Sequence, residues 1–345
     1  MAVYTTIDDS GLFFNTILYT GDGTTKTISG VGFQPDMVWG KGRNSVSSHS
    51  LIDAVRGVTK SIFPDTGAIE DTNATSYLTG FTADGYTVNS ASNFNVNTRE
   101  QVNWNWKANG AGSSNEDGSI NTISTSVSTT AGFSISTYTG TESADTVGHG
   151  LGAVPKVVIV KKLSQADDWF GYHEPLGNLA RMQLSTTAAV ASGSSYWNST
   201  TPTSTVFSLY NNGANNAVGE TLVAYCFANV RGFSSFGSYE GNANAVGPFI
   251  YTGFRPAFVI CKRTNNTANW VLYDNKREGY NVDNDALNPD GDYVESTSDD
   301  LDLLSNGFKM RRNYNDGNGG GDSYIYLAFA DAPFVNSESV PCNAR

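Results

Sequence analysis

The sequence predicts an all-β chain made of three tandem β-sandwich repeats of jelly-roll or lectin-like type. Three observations predict it. Thirty-six glycines among many Thr, Ser, Asn and Tyr favour strands joined by tight turns. No stretch carries Ala, Leu, Glu and Lys at a helical period for long enough to make a major helix. One segment also recurs, as GFQPDMVWGKG at 32–42, GAVPKVVIVKK at 152–162 and GFRPAFVICKR at 253–263.

Alignment on Pro35, Pro155 and Pro256 keeps other positions in phase. Lys41, Lys161 and Lys262 follow the prolines by six residues. His49, Trp169 and Trp270 follow by 14, and Asp53, His173 and Asp274 by 18. Trp106, Phe227 and Phe329 follow by 71, 72 and 73 residues, and turns beginning at Tyr19, Tyr138 and Tyr239 precede by 16 or 17. Such agreement points to internal triplication. A unit of about 100 residues has the size of a small β-sandwich and is too long for a solenoid coil or propeller blade. The expected layout is a lead-in at 1–11, repeats at 12–110, 131–231 and 232–335, and a tail at 336–345. The Gly/Ser/Asn-rich stretch 111–130 reads as an exposed, partly flexible connection, whereas ANVRGFSSFG leaves repeats two and three packed directly together.

Each repeat opens with a strand that ends in a glycine turn, as in GLFFNTILYTG, GFSISTYTG and GFSSFGSYEG. Proline then starts the central strand, where its missing N–H is tolerated. The nearly continuous apolar run of PKVVIVKK suits a strand covered on both faces, and the repeated lysine is expected to end it with its ammonium in water. SHSLIDAVRG, DWFGYHEPLG and NWVLYDNKREG supply the next strand. Asp-Gly in FTADGYTV and Asn-Gly in LSNGFKMR mark hairpins. The closing strand alternates, with Val102, Trp104 and Trp106 on one face and Asn103, Asn105 and Lys107 on the other.

The chain has 345 residues, 39% of them hydrophobic, and a net charge of −12 with a pI near 4.6. That surface repels phosphate backbones, so nucleic acid is not an expected partner. Cys226, Cys261 and Cys342 make an odd count without C-x-x-C spacing, which argues for thiols made in a reducing cytoplasm and against a disulfide framework or zinc site. Cys226 and Cys261 lie in apolar runs and should be buried. MAVYTTIDDSGLFF has no signal-peptide pattern, and no run of about 18 apolar residues exists, so neither export nor membrane insertion is expected.

Catalytic signatures are sparse. No G-x-S-x-G or H-E-x-x-H occurs, and GDGTTKT lacks P-loop spacing; no cofactor is expected. His149, in GHGLG, reads as a turn histidine bonded to backbone, and a position shared by Asp53, His173 and Asp274 suits a polar surface or junction contact. The acidic run 283–302 contains Asp283, Asp285, Asp290, Asp292, Asp299, Asp300 and Asp302. Asp285, Asp290 and Asp292 are its candidate cation ligands, although the spacing does not fit an EF-hand and a solvated loop is the plainer reading. The same run offers carboxylates for glycoside hydrolysis, with no separation fixed by the sequence. Trp169 and Trp270 recur in register and are assigned to the core of each sandwich, whereas Trp197 lies outside the pattern and is the candidate ligand-binding aromatic.

Taken with the repeat, Tyr19-Thr20-Gly21, Gly32-Phe33-Gln34-Pro35, Asp53 to Gly57, Leu304 to Lys309 and Tyr326 to Ala330 resemble a repeated domain in virion proteins of tailed phages, particularly phages of marine bacteria and cyanobacteria. The resemblance spans about 12–335 and rests on framework residues. The middle repeat departs from it, with Ala153 where the others have Phe33 and Phe254, and EPLG where Asp53 to Gly57 stand in the first. The resemblance implies a virion-located structural or host-contact protein without catalytic residues. Its partners would be other virion proteins, further copies of itself and host-surface polysaccharide. Tail or fibre location is the first expectation. Capsid decoration is the alternative, since neither a long N-terminal anchor nor a heptad shaft is read, and a polysaccharide-binding or depolymerising protein is the second.

Overall fold

A computed structural model of the chain describes residues 4–90, 92–277, 281, 285–298 and 300–342. The first segment contains β1 (Phe14–Thr20), β2 (Lys26–Ser29), β3 (Met37–Gly42), β4 (Ser50–Asp53), β5 (Leu78–Thr82), β6 (Gly85–Val88) and β7 (Glu100–Trp106). After β8 (Ser124–Ser128), the middle segment contains β9 (Phe133–Thr139), β10 (Asp145–Gly148), β11 (Val157–Lys162), β12 (Phe170–His173), β13 (Ala180–Gln183), β14 (Val206–Leu209) and β15 (Thr221–Phe227). The third contains β16 (Ser234–Glu240), β17 (Phe249–Tyr251), β18 (Phe254–Arg263), β19 (Trp270–Asp274), β20 (Leu301–Leu304), β21 (Gly307–Met310) and β22 (Ser323–Pro333). The fold is all-β and its sheets are antiparallel.

Each segment builds a main sheet of one strand order: β1-β7-β3-β4, β9-β15-β11-β12 and β16-β22-β18-β19. The middle sheet is widened by β8 beside β9 and by β13 beside β12. Small sheets β2-β6-β5, β10-β14 and β17-β21-β20 complete the segments. Side chains alternate across a strand, so each main sheet has two faces to cover. In the first segment Val38 and Ile52 cover Ile28, Leu78 and Tyr86 of the small sheet. In the middle one Val158, Val160 and Cys226 cover Val147, Phe207 and Leu209. The opposite faces of all three main sheets meet in one shared core that includes Trp39, Trp106, Ile159, Phe227, Phe258 and Phe329. This double covering is why the central strands are nearly unbroken apolar runs.

The tyrosine–glycine turns have one geometry. Tyr19, Tyr138 and Tyr239 donate their hydroxyls to the carbonyls of Phe94, Asn215 and Gly317 at 2.7, 2.6 and 2.8 Å. A Cβ on Gly21, Gly140 or Gly241 would sit 2.2 Å from the carbonyl oxygen of Val96, Ala217 or Gly319, closer than any side chain tolerates.

Two expectations need correction. Pro35 and Pro155 precede their strands by two residues, but Pro256 lies inside β18. The ladder to β22 shifts register on both sides of Pro256, because proline has no N–H to give it. The connection after the first segment is exposed but anchored: Asp36 accepts the N–H groups of Ala108 and Gly110 at 2.7 and 2.9 Å, and β8 joins the middle sheet.

Candidate functional site: the three-way junction

The residues held in phase along the sequence converge where the main sheets meet. Trp106 and Phe227 end β7 and β15, and Phe329 lies one residue before the end of the continuous buried run of β22, all three in the shared core. Their rings pack together, with Trp106–Phe329 centroids 5.7 Å apart and Phe227–Phe329 5.8 Å apart. Phe258 also packs edge-on to Trp104 and Trp106, at 5.7 and 5.5 Å. A wholly apolar cavity of about 40 Å³ remains at the centre, bordered by residues of all three segments, including Met37, Met182 and Leu327.

Polar contacts surround this apolar centre in a cyclic pattern. The lysines one residue before the ends of β3, β11 and β18 are buried, not solvated as the sequence suggested. Lys41, Lys161 and Lys262 are only 1%, 0% and 1% exposed. Each ammonium is held by one carbonyl of its own segment and one of the segment before it, the first segment reaching round to the third. Lys161 Nζ donates to Asp167 O at 2.8 Å and to Gly67 O of the first segment at 3.2 Å. Lys262 donates to Ala268 O and to Thr187 O of the middle segment, the latter at 3.0 Å. Lys41 donates to Gly42 O at 2.9 Å and to Asp292 O of the third segment at 3.4 Å. Burial strips water from all three and pushes their pKa down to about 8.

A second ring runs in the same sense. Trp169 Nε1 donates to Phe63 O in the first segment at 2.9 Å, and Trp270 Nε1 to Gln183 O in the middle one at 2.8 Å. His49 takes the corresponding place: its Nδ1 accepts from Trp39 Nε1 at 2.9 Å, which leaves Nε2 to donate to Asn288 O of the third segment at 3.0 Å. Trp169 and Trp270 therefore line the shared core and the junction, not the interior of their own sandwiches as expected.

Asp53, His173 and Asp274 form the third ring, each meeting the closing strand of a different segment. Asp53 accepts from Arg56 Nε at 2.6 Å and from Tyr225 OH of β15 at 2.6 Å. Asp274 accepts from Arg277 Nε at 2.6 Å and from Trp104 Nε1 of β7 at 3.0 Å. The third contact falls on Leu327 of β22, which has no donor. There the middle segment has His173, whose Nε2 donates to the adjacent Tyr326 carbonyl at 3.1 Å, and Leu176 in place of the arginine. The departure of the middle segment is thus matched by a departure in its partner strand. Burial pushes the His173 pKa down to about 4, consistent with a neutral ring.

The remaining candidates are engaged elsewhere. Trp197 is not a surface aromatic: it is 1% exposed, donates Nε1 to Ala180 O at 3.0 Å and packs edge-on to Tyr172. Polar neighbours in GSSYWNST disguised a core residue. Asp290 accepts the Trp270 N–H at 3.0 Å, and burial pushes its pKa up to about 7. Asp285 lies 3.6 Å from Arg43, and Asp292 supplies its backbone carbonyl to Lys41. No group of three or more His, Cys, Asp or Glu suited to a metal occurs among the described residues, and Asp283 and Asp299 lie outside them. His149 is buried, with Nε2 3.2 Å from Thr203 O and Nδ1 accepting the Leu151 N–H at 3.2 Å. Cys226 and Cys261 are buried thiols and Cys342 is exposed.

One repeated set escaped the reading of the sequence. Asn95, Asn216 and Asn318 are fully buried, and their Oδ1 atoms accept the N–H groups of Asp22, Thr141 and Asn242 at 3.1, 2.9 and 2.8 Å. Their Nδ2 groups donate to the carbonyls of Thr24, Ser143 and Asn244, bracing the turn after each first strand. The signal was present, since each asparagine stands 11 residues before Trp106, Phe227 or Phe329.

A family model described as "Domain of unknown function (DUF7483)" matches residues 9–333. Neither a curated protein nor a solved structure matches the chain.

Proposed function

The chain belongs to that family, and from this premise we propose that it is a non-enzymatic structural protein of a tailed-phage virion, tail- or fibre-associated and in contact with the host surface. In this reading one β-sandwich was triplicated within the chain, and the three copies close into a ring related by an approximate threefold axis. The observation that carries it is the cyclic set of contacts through Lys41, Lys161 and Lys262. Residues repeated in sequence are spent on joining copies. A heterologous interface that closes after three steps gives a rigid body with large outer surfaces for assembly. The groups with displaced pKa support the non-enzyme reading, since Lys41, Lys161 and His173 are engaged inside the junction. The sequence motifs quoted above supply the phage assignment.

Peptide mass spectrometry and imaging of purified particles test this proposal. Multiple copies located on the tail are expected. Density on the head would replace tail by capsid decoration, and absence from particles would overturn the virion assignment. Incubation with host polysaccharide is expected to release no reducing ends. Release abolished by Asp290→Asn or Asp292→Asn would overturn the non-enzyme reading in favour of a depolymerase.

A further inference from the structure

The three small sheets allow equivalent surface positions to be compared. In each, an apolar residue points inward: Ile28 opposite Tyr86, Val147 opposite Phe207, and Ile250 opposite Phe308. The residues flanking it point outward. They are Thr27 and Ser29 in the first segment and Phe249 and Tyr251 in the third, whereas in the middle one Thr146 bonds to Ser119 and Gly148 is buried under Asn115. Phe249 and Tyr251 are 47% and 57% exposed. Small residues suffice for the exposed strand of the first segment, so the architecture does not explain two aromatic rings set in water in the third.

Tyr251 borders an open groove of about 410 Å³ shared with Tyr4, Asn229, Arg231 and Ser235. The groove is built. Tyr4 donates its hydroxyl to Gly253 O at 2.7 Å, and its ring carries the Arg231 guanidinium 4.4 Å from the centroid. Asn229 Oδ1 accepts the Phe236 N–H at 3.1 Å, which leaves the amide NH₂ to donate. Seven arginines (43, 56, 255, 263, 277, 311 and 312) pair with carboxylates. Arg231, like Arg99 and Arg181, has no ion-pair partner among the described residues, and none of the residues lining the groove is acidic, so this patch is locally cationic in a chain whose net charge is −12.

We propose that this groove binds a uronic-acid-containing polysaccharide: Tyr251 takes the apolar face of a pyranose ring, Arg231 its carboxylate, and Asn229 a hydroxyl. A guanidinium offers paired N–H donors that match a carboxylate, and its seat over the Tyr4 ring, 4.4 Å from the centroid, holds it at the groove before the ligand arrives. The proposal rests on the host-contact reading above and names the ligand class for it.

The test is calorimetric titration of the full-length protein with alginate oligosaccharides, and with dextran oligosaccharides as the neutral comparison. Saturable alginate binding much tighter than dextran binding is expected. Tyr251→Ala and Arg231→Gln should each weaken it about tenfold, the loss of one stacking or charge-assisted contact. Arg231→Lys should retain part of the affinity, and Ser29→Ala, at the first-segment position equivalent to Tyr251, should change nothing. Both central side chains are on the surface, and circular dichroism checks that the variants keep the native fold. No alginate binding, equal affinity for dextran, or affinity unchanged in Tyr251→Ala overturns the proposal. A chain present on particles that binds no alginate sinks this inference alone, whereas alginate binding by a chain absent from particles sinks the virion reading alone.

Discussion

Lys161 loses bulk water on folding and receives two carbonyls in exchange, Asp167 O at 2.8 Å and Gly67 O at 3.2 Å. A neutral amine still has two N–H donors, so deprotonation removes the buried charge and keeps both bonds. The folded pKa of about 8 lies below the ordinary 10.5. Between those values the unfolded chain binds more protons, so this group's contribution to stability rises with pH from about 8 to 10.5 and is smallest below 8. Lys161→Met would leave both carbonyls without donors and should cost roughly 1–3 kcal/mol at neutral pH. In urea titrations from pH 7.5 to 10, the gap between wild type and Lys161→Met should widen as pH rises. A gap that narrows would show that the ammonium, not the amine, holds the junction. The same trend is expected for Lys41 and Lys262, whose surroundings repeat those of Lys161.

At the scale of elements, the pairing of β12 with β22 differs from its two counterparts in a way that can be exchanged. His173→Asp would set a buried carboxylate against the Tyr326 carbonyl and beside Leu327, with no arginine in reach. An uncompensated buried charge of that kind should cost roughly 3–5 kcal/mol. Adding Leu176→Arg and Leu327→Tyr recreates the donors that Asp53 has in Arg56 and Tyr225. The triple variant should recover part of the loss, read as the denaturant midpoint. His173 also carries an acid limit. Its folded pKa of about 4 lies below the ordinary 6.5, so its contribution is complete above 6.5 and is lost as pH falls toward 4. Asp290, raised to about 7, acts oppositely over the same range, so the His173 effect must be read as the difference between wild type and His173→Gln. The strands themselves were legible: glycine turns, the apolar runs after the prolines and the alternation of Val102, Trp104 and Trp106 mark them without knowledge of partners. The junction was legible only as a position shared by Asp, His and Asp. Its partners lie far along the chain, Tyr225 being 172 residues from Asp53, and no periodicity reaches that far. The lysines were misread for the same reason, since the carbonyls that bury them belong to other segments.

For the whole molecule, the decisive feature is that the three segments bury their largest side chains against each other. Phe329 contacts Trp106 of the first segment and Phe227 of the middle one, with centroids 5.7 and 5.8 Å away. The ends of the described chain also meet, Asp8 accepting the Ser337 N–H at 2.7 Å. Releasing any one segment would expose an aromatic face on both of the others and strip two of the three lysines of their cross-segment carbonyl. Independent sandwiches on a string would unfold in separate steps, whereas segments joined in this way should unfold together. A single denaturant transition is therefore expected, coincident by tryptophan fluorescence and far-ultraviolet circular dichroism. Phe329→Ala should lower its midpoint by the equivalent of roughly 3–5 kcal/mol. The chain should also become readily cleaved by protease in all three segments, not only in the third. Mass mapping of the fragments decides: cuts confined to residues after 232 would mean that the first two sandwiches stand without the third. The shared core would then be only a contact between them, and the ring reading would fail.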